Sequence, residues 1–137
     1  MLIAVALTTA IAGCGTNDGD ESAPADGDRD VWHAGPRLPQ PVSNNAVAAV
    51  HVDGRTSVFT FAGIDSTKAW SGVTNVAYRW DVGSDAWREI EPVPGPGRLA
   101  ATAQVVGGLI YVFSGYTVAE DGSEKSLPDV AIYDPVA

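Results

Sequence analysis

Apolar residues between positions 32 and 137 occur in short runs rather than at helical spacing. Within the runs, apolar side chains alternate with polar or small ones, and clusters of Gly, Pro and Asp separate one run from the next. Such runs predict short β-strands joined by tight turns. We therefore expect an all-β fold with antiparallel sheets. The predicted strands are 46–52, 57–62, 75–80, 87–90, 99–106, 109–114 and 129–133.

The strand pattern occurs about twice along the chain. The aligned segments, each with one residue of slack, are NAVAAVHVDGRTSVFTFAG (45–63) with RLAATAQVVGGLIYVFSG (98–115), and NVAYRWD (75–81) with DVAIYD (129–134). Trp80 and Tyr133, which end the third strand of each unit, lie 53 positions apart. A repeat of about 50 residues that contains four short strands is typical of a β-propeller blade.

These units resemble the blades of the kelch family, and the resemblance covers residues 32–137. It is carried by GRLAATAQVVGGLIYVFSG and DVAIYDP. A WD40 propeller, the alternative, has a period of about 40–45 residues and a Gly-His element that does not accompany Trp80-Asp81 here. Kelch repeats usually have two glycines where this chain has Ala62-Gly63 and Ser114-Gly115. The resemblance implies a partial kelch-type β-propeller.

The predicted propeller is incomplete. A propeller closes with about four to eight blades, whereas this pattern gives an outer strand near Trp32, one full blade and three strands of a second. The pattern also requires a Trp beyond Ala137. We therefore expect 32–137 to be part of a longer propeller, in which the strand at Trp32 completes the last blade. By itself this part would expose apolar blade faces and strand edges.

The N-terminal residues 1–14 have the pattern of a bacterial lipoprotein signal peptide. The uncharged run LIAVALTTAIA (2–12) is too short to span a bilayer, and it ends on small residues before Cys14. Ile11-Ala12-Gly13-Cys14 resembles the lipobox, which implies lipid attachment at Cys14 and a location in the bacterial cell envelope, at the outer membrane. The alternative is a buried N-terminal strand with an incidental cysteine; an internal disulfide is excluded because the chain has one cysteine.

Residues 15–31 form an acidic segment without large apolar residues before Val31. Six acidic residues and one arginine give this segment −5 of the net charge of −9. Such a composition predicts a disordered tether. The chain has no basic patch, so we expect no nucleic-acid partner.

The composition does not favour metal or cofactor chemistry. His33, His51 and Cys14 are the whole His and Cys inventory. Cys14 is assigned to the lipid, and His51 alternates with valines in a predicted strand. We therefore expect no metal site and no cofactor, and we assign no catalytic residue.

Two long polar connections are the candidate binding elements. They are 64–74 (IDSTKAWSGVT) and 116–128 (YTVAEDGSEKSLP), which a propeller would present on one face, where loops commonly bind ligands. Hydrogen-bonding groups and one aromatic ring suit a carbohydrate, although these residues would equally suit a solvated loop. The candidate residues are Asp65, Lys68, Trp70, Glu120 and Asp121.

Arg98 is a further candidate. It follows Gly-Pro-Gly at the start of the second unit, where a guanidinium would bind a carboxylate or would cap a turn. The alignment places Asn45 at the same register in the first unit, so both residues are candidates for ligand binding.

GPGRLAATAQVVGGLIYVFSGY, the long acidic loop and PDVAIYDP are similar to the bacterial N-acetylneuraminate epimerases, which are kelch propellers. That resemblance implies a sugar-acid epimerase or mutarotase in which Arg98 contacts the carboxylate. The leading hypothesis is a non-catalytic module, held at the membrane through Cys14, that recognises a carbohydrate or a protein. The enzyme is the alternative.

Overall fold

The structure, a computed structural model, describes residues 31–137. The predicted signal peptide with Cys14, and the tether as far as residue 30, lie outside the described residues.

The first sheet contains four antiparallel strands in the order β1-β2-β3-β4. They are β1 (Ala46–Val52), β2 (Arg55–Ile64), β3 (Val73–Asp81) and β4 (Arg88–Ile90). The predicted first blade is confirmed, and β1 has the predicted bounds. Alternate residues of β1 are buried, as the alternating pattern requires.

The second sheet contains three antiparallel strands in the order β5-β6-β9, and a separate hairpin is inserted between β6 and β9. The sheet consists of β5 (Thr102–Val106), β6 (Leu109–Phe113) and β9 (Val130–Tyr133), and the hairpin of β7 (Tyr116–Val118) and β8 (Glu124–Ser126). The all-β prediction is confirmed. Within residues 31–137 the only helical element is the 3-10 turn Trp70–Gly72.

Two details of the predicted second unit are wrong. Strand β5 begins at Thr102 rather than at residue 99, because Ala100 has a φ of 53°, which ends the extended conformation. Residues 116–128 are not a plain loop, because Tyr116–Val118 pairs with Glu124–Ser126. The hairpin turns at Gly122, which has a φ of 81°.

The core lies between the two sheets. We call the side of the first sheet that carries Ala48, Phe59, Phe61 and Ala77 its forward face. It packs against the rear face of the second sheet, which carries Ala103, Ile110, Val112, Ala131 and Tyr133. The Tyr133 ring lies 5.7 Å from Phe59 and 6.2 Å from Phe61, centroid to centroid. Val93, in the linker between the sheets, is buried in the same cluster.

Ala62-Gly63 and Ser114-Gly115, where kelch repeats have two glycines, have left-handed backbones at all four positions. The φ angles are 60° and 115° in the first sheet and 53° and 93° in the second. The two glycines cannot be replaced without a shift, because a Cβ on Gly63 would lie 2.7 Å from the Ser43 carbonyl oxygen and one on Gly115 would lie 2.6 Å from that of Leu99. Ala62 and Ser114 are tolerated there at a conformational cost.

The outer strand predicted at Trp32 is not formed, since residues 31–42 contain no strand and the Trp32 side chain is fully exposed. A strand requires a neighbour for its backbone hydrogen bonds, and the sequence prediction placed that neighbour beyond Ala137. Trp87, which the repeat matches to Trp32, instead precedes β4 and donates a hydrogen bond from its indole nitrogen to the Pro36 carbonyl oxygen, at 3.0 Å.

Candidate ligand-binding surface at the loop end

The polar connections meet at one end of the two sheets, which we call the loop end. It comprises residues 43–45 and 98–101, which precede the first strand of each sheet, together with the β2–β3 and β6–β9 connections. The backbone joins these parts across the sheets: the Gly63 N–H donates to the Arg98 carbonyl and the Ala100 N–H donates to the Asn44 carbonyl, at 2.9 and 3.1 Å. The loop end is therefore a continuous surface.

A shallow polar groove lies at the loop end of the first sheet. It is lined by Pro41, Val42, Ser43, Asp65, Ser66 and Lys68. The Lys68 ammonium group donates a hydrogen bond to the Ser43 hydroxyl. Two of the predicted candidates, Asp65 and Lys68, thus share one groove.

The carboxylate of Asp65 fixes the shape of this connection. Its Oδ1 accepts hydrogen bonds from the Thr67 backbone N–H at 2.9 Å and from the Thr67 hydroxyl. Gly72 closes the loop, because its carbonyl accepts from the Asp65 N–H and a Cβ at Gly72 would collide with the Asp65 carboxylate. No hydrogen bond within residues 31–137 uses Asp65 Oδ2.

Trp70 lies on the same connection, in the 3-10 turn, and its side chain is about half exposed (47%). An exposed indole offers an apolar face against which a ring can stack. It therefore adds an aromatic platform to the connection that carries the polar groove.

The other predicted candidates do not join the groove. Asn45 donates from its side-chain amide to the Thr60 hydroxyl at 2.6 Å. Glu120 and Asp121 lie exposed at the tip of the β7–β8 hairpin. Hydrogen bonds from Ser123, first from its side chain and then from its backbone N–H, lower the pKa of Asp121 below its ordinary value.

Arg98 is fully buried (0% exposed) and its guanidinium group has internal partners. Nη1 donates to Asp129 Oδ2 at 2.8 Å and to the Ser114 carbonyl at 3.3 Å, and Nη2 donates to the Pro94 carbonyl at 2.9 Å. The hydrogen bond from Arg98 lowers the pKa of Asp129, whose side chain remains 48% exposed. Arg98 thus joins the linker, the end of β6 and the start of β9.

The sequence alignment assigned Arg98 the wrong counterpart. Asn44 and Ala100, at φ angles of 55° and 53°, occupy the same place before the first strand of each sheet. Arg98 therefore corresponds to Val42 and not to Asn45. The alignment failed because the hairpin of the first sheet is longer: Ala62 follows Asn44 by 18 residues, whereas Ser114 follows Ala100 by 14.

Asp129 is the partner of Arg98 that the sequence did not indicate. It lies 31 positions from Arg98, and no local pattern links the two residues. The only sequence signal was a carboxylate at the first position of the predicted strand 129–133.

Two other features are absent from residues 31–137. Within residues 31–137, no three His, Cys, Asp or Glu side chains are grouped so as to hold a metal ion. The same residues include no helix that is long and apolar enough to cross a membrane.

Comparison with known proteins supports the fold. No protein-family model matches the chain, and no curated protein matches it. The solved structure of YjhT, a kelch-type β-propeller, matches with a TM-score of 0.52 and 22% sequence identity. The chain is a partial β-propeller. The match covers 74% of this chain and 27% of YjhT, so the two sheets correspond to blades of a larger propeller.

Proposed function

We propose that this partial propeller is a recognition module of the bacterial cell envelope whose loop end binds a carbohydrate. The observation that carries the proposal is the groove formed by Ser43, Asp65, Ser66 and Lys68, together with an exposed tryptophan on the same connection. A protein partner is the other ligand class that we weighed, and it becomes the favoured one if no sugar binds.

The groove has the groups that sugar recognition needs. Sugar hydroxyls both donate and accept hydrogen bonds, and here the Lys68 ammonium group donates while Asp65 Oδ2 accepts. The apolar face of a sugar ring would pack on Trp70. Because the Asp65 turn and Gly72 fix the connection, little ordering entropy would be lost on binding.

The binding experiment is a titration of the chain with sialyllactose and, separately, with lactose, measured by isothermal titration calorimetry. We expect Lys68→Ala and Trp70→Ala each to weaken binding by about tenfold or more, the loss of one hydrogen bond or one stacking contact. Arg55→Ala, which removes an exposed basic side chain at the opposite end of β2 from the loop end, is the control and is expected to bind as the parent does. Equal binding by the groove variants and the control would refute this site.

Membrane attachment through Cys14 is part of the proposal. A lipid on Cys14 and the acidic segment 15–31 would hold the module at a distance from the membrane. Radiolabelled palmitate should label the parent in a bacterial host and leave Cys14→Ala unlabelled. Labelling of the variant would remove this part of the proposal without affecting the binding site.

A sugar-acid epimerase is the second candidate. The observation in its favour is that Arg98 already holds a carboxylate, that of Asp129, at the loop end. A substrate carboxylate would have to displace Asp129, because the buried guanidinium has no exposed nitrogen. NMR of anomer exchange in N-acetylneuraminate tests this: acceleration by the chain, reduced in a folded Arg98→Lys variant, would support the enzyme. Exchange at the uncatalysed rate would exclude it for this chain.

A further inference from the structure

The forward face of the second sheet is an open apolar surface. We define it by Tyr111, Phe113, Val130 and Ile132, which lie side by side in the pairing of β6 with β9. Phe113, Val130 and Ile132 are 37%, 48% and 59% exposed. Exposed apolar surface of this kind, on a sheet rather than scattered, marks an interaction surface.

This face repeats the buried forward face of the first sheet. Phe61 and Phe113 each directly precede a left-handed residue, Ala62 or Ser114, so they occupy equivalent positions. Phe59 and Phe61 stack with centroids 6.2 Å apart and planes 5° apart, and Tyr111 and Phe113 stack at 6.3 Å and 20°. The same aromatic pair is thus presented twice.

Only the first pair is covered by a third ring. Tyr133 packs over Phe59 and Phe61 from the rear face of the next sheet. The residue of the first sheet that is equivalent to Tyr133 is Trp80: Tyr133 pairs with Ile110 and Trp80 pairs with Val58, each four positions before the left-handed residue. The first sheet therefore presents, on its own rear face, a ring in the register of Tyr133.

We propose that the open forward face of the second sheet binds the rear face of the first sheet of a second copy of this chain. In this joint, Trp80 of the second copy occupies the place over Tyr111 and Phe113 that Tyr133 occupies over the first aromatic pair. This contact between copies has the geometry of the joint between the two sheets of one chain, and it is independent of the proposed binding function.

The rear face of the first sheet can accept this contact. Val47, which is 55% exposed, is equivalent to Ala103 of the internal joint. Val47 pairs with Thr60, two positions before the left-handed Ala62. Ala103 pairs with Val112, two positions before the left-handed Ser114. The joint is head to tail, so a dimer still has one free forward face of a second sheet and one free rear face of a first sheet. Further copies can therefore add until a ring closes. Copies that each supply the two described sheets would close a ring of four to eight blades at roughly two to four copies.

The experiment is sedimentation of the full 137-residue chain in a mild non-ionic detergent, over a range of protein concentrations. The parent is expected to form discrete oligomers of two to four copies. Ile132→Glu blocks the forward face of the second sheet, and Val47→Glu blocks the rear face of the first. Each variant alone is expected to associate at least a hundredfold more weakly, because the joint would bury an unpaired carboxylate. Both positions are exposed in one chain, and circular dichroism checks that each variant is folded.

Mixing the two variants gives the decisive result. A head-to-tail joint leaves one intact pairing, the forward face of Val47→Glu with the rear face of Ile132→Glu, so an equimolar mixture should form a one-to-one dimer and nothing larger. Parent-like assembly by Val47→Glu alone would show that two forward faces pair with each other and would overturn the proposal. A parent that is monomeric at all concentrations would also overturn it and would leave the face to a further blade of the same polypeptide.

Discussion

The forward faces of the two sheets carry equivalent aromatic pairs but differ in how far they are exposed to solvent. The forward face of the first sheet is buried, with Phe61 only 2% exposed, while the equivalent Phe113 of the second sheet is 37% exposed. The aromatic pairs have nearly the same internal geometry in both sheets. The aromatic stack therefore arises from alternate side chains along one strand, and burial depends on what lies opposite. The stack does not depend on the contact between the two sheets.

The chemistry next to the stack also differs between the sheets. In the first sheet, Arg79 lies beside Phe59 with its guanidinium carbon 5.5 Å from the ring centroid, and its Nε donates to Asp81 at 2.6 Å. Ile132 occupies the equivalent position in the second sheet, where it pairs with Tyr111. The first face thus ends in an ion pair, whereas the β6–β9 part of the second face is apolar and its polar residues, Thr102 and Gln104, lie on β5.

The largest predicted effect on stability tests this difference between the two forward faces directly. Phe61→Ala should lower the free energy of unfolding by about 3–5 kcal/mol, because it leaves a cavity in a closed joint. Phe113→Ala, at the equivalent exposed position, should cost about 1 kcal/mol or less. Urea unfolding measures both, at a protein concentration below that at which the chain associates. Equal losses would mean that the second face is covered in solution even in the monomer.

A second prediction concerns Arg98, whose counterpart before the first sheet is Val42. Arg98→Met should lower the free energy of unfolding by about 2–3 kcal/mol, since it removes the hydrogen bonds that the buried guanidinium donates to Pro94, Ser114 and Asp129. Arg88→Met, on the exposed edge strand of the first sheet, is the control and should change stability by less than about 0.5 kcal/mol. If the two variants unfold at the same urea concentration, the Arg98 contacts do not stabilise the fold.

The partner of Arg98 adds a pH dependence. Folding lowers the pKa of Asp129 below its ordinary value of 3.8, so the folded state binds this proton less tightly than the unfolded state does. The stabilisation is therefore complete above about pH 4 and is lost as the pH falls through the lowered pKa. Asp129→Asn should flatten the loss of stability below pH 4 in acid titrations of urea unfolding. A slope unchanged by this variant would contradict the ion pair.

Sequence patterns predicted the parts of the fold that are encoded locally. Strand β1 and the turns at Asp53-Gly54 and Gly107-Gly108 follow from alternation and from glycine's left-handed backbone, so their positions could be read from neighbouring residues. The β7–β8 hairpin could have been found as well, because Tyr116–Val118 has strand residues and Asp121-Gly122 is a turn signal.

The candidate surface was less predictable because it depends on contacts distant in sequence. Asp65 and Lys68 were predicted together, and they share the groove, because one short connection carries both. The environment of Arg98 could not be predicted, since its burial is caused by Asp129, Ser114 and Pro94, which converge only in the folded chain. A charged side chain next to glycines otherwise indicates an exposed position.

The smallest predicted effect on stability concerns Ala62 and Ser114, the left-handed residues that precede Gly63 and Gly115. Ser114→Gly should raise the free energy of unfolding by about 0.5 kcal/mol, because the gain from removing backbone strain exceeds the entropy that glycine adds to the unfolded state. Ala62→Gly should change it by less, since the buried methyl group of Ala62 is lost at the same time. Thermal melts of the two variants measure the difference. A larger gain at Ala62 would show that its methyl group contributes nothing to the joint.

The backbone hydrogen bonds between the two sheets bear on how such a chain diverges in evolution. The bonds from Gly63 to Arg98 and from Ala100 to Asn44 use only main-chain atoms, which every residue except proline can supply. Side chains can therefore change at Asn44 and Ala100 while these bonds are retained, whereas Gly63 is restricted by its close approach to the Ser43 carbonyl. The chain accordingly matches part of the fold of YjhT at 22% identity, although no family model matches its sequence. Main-chain contacts of this kind allow two blades to keep their arrangement in sequences that share few side chains.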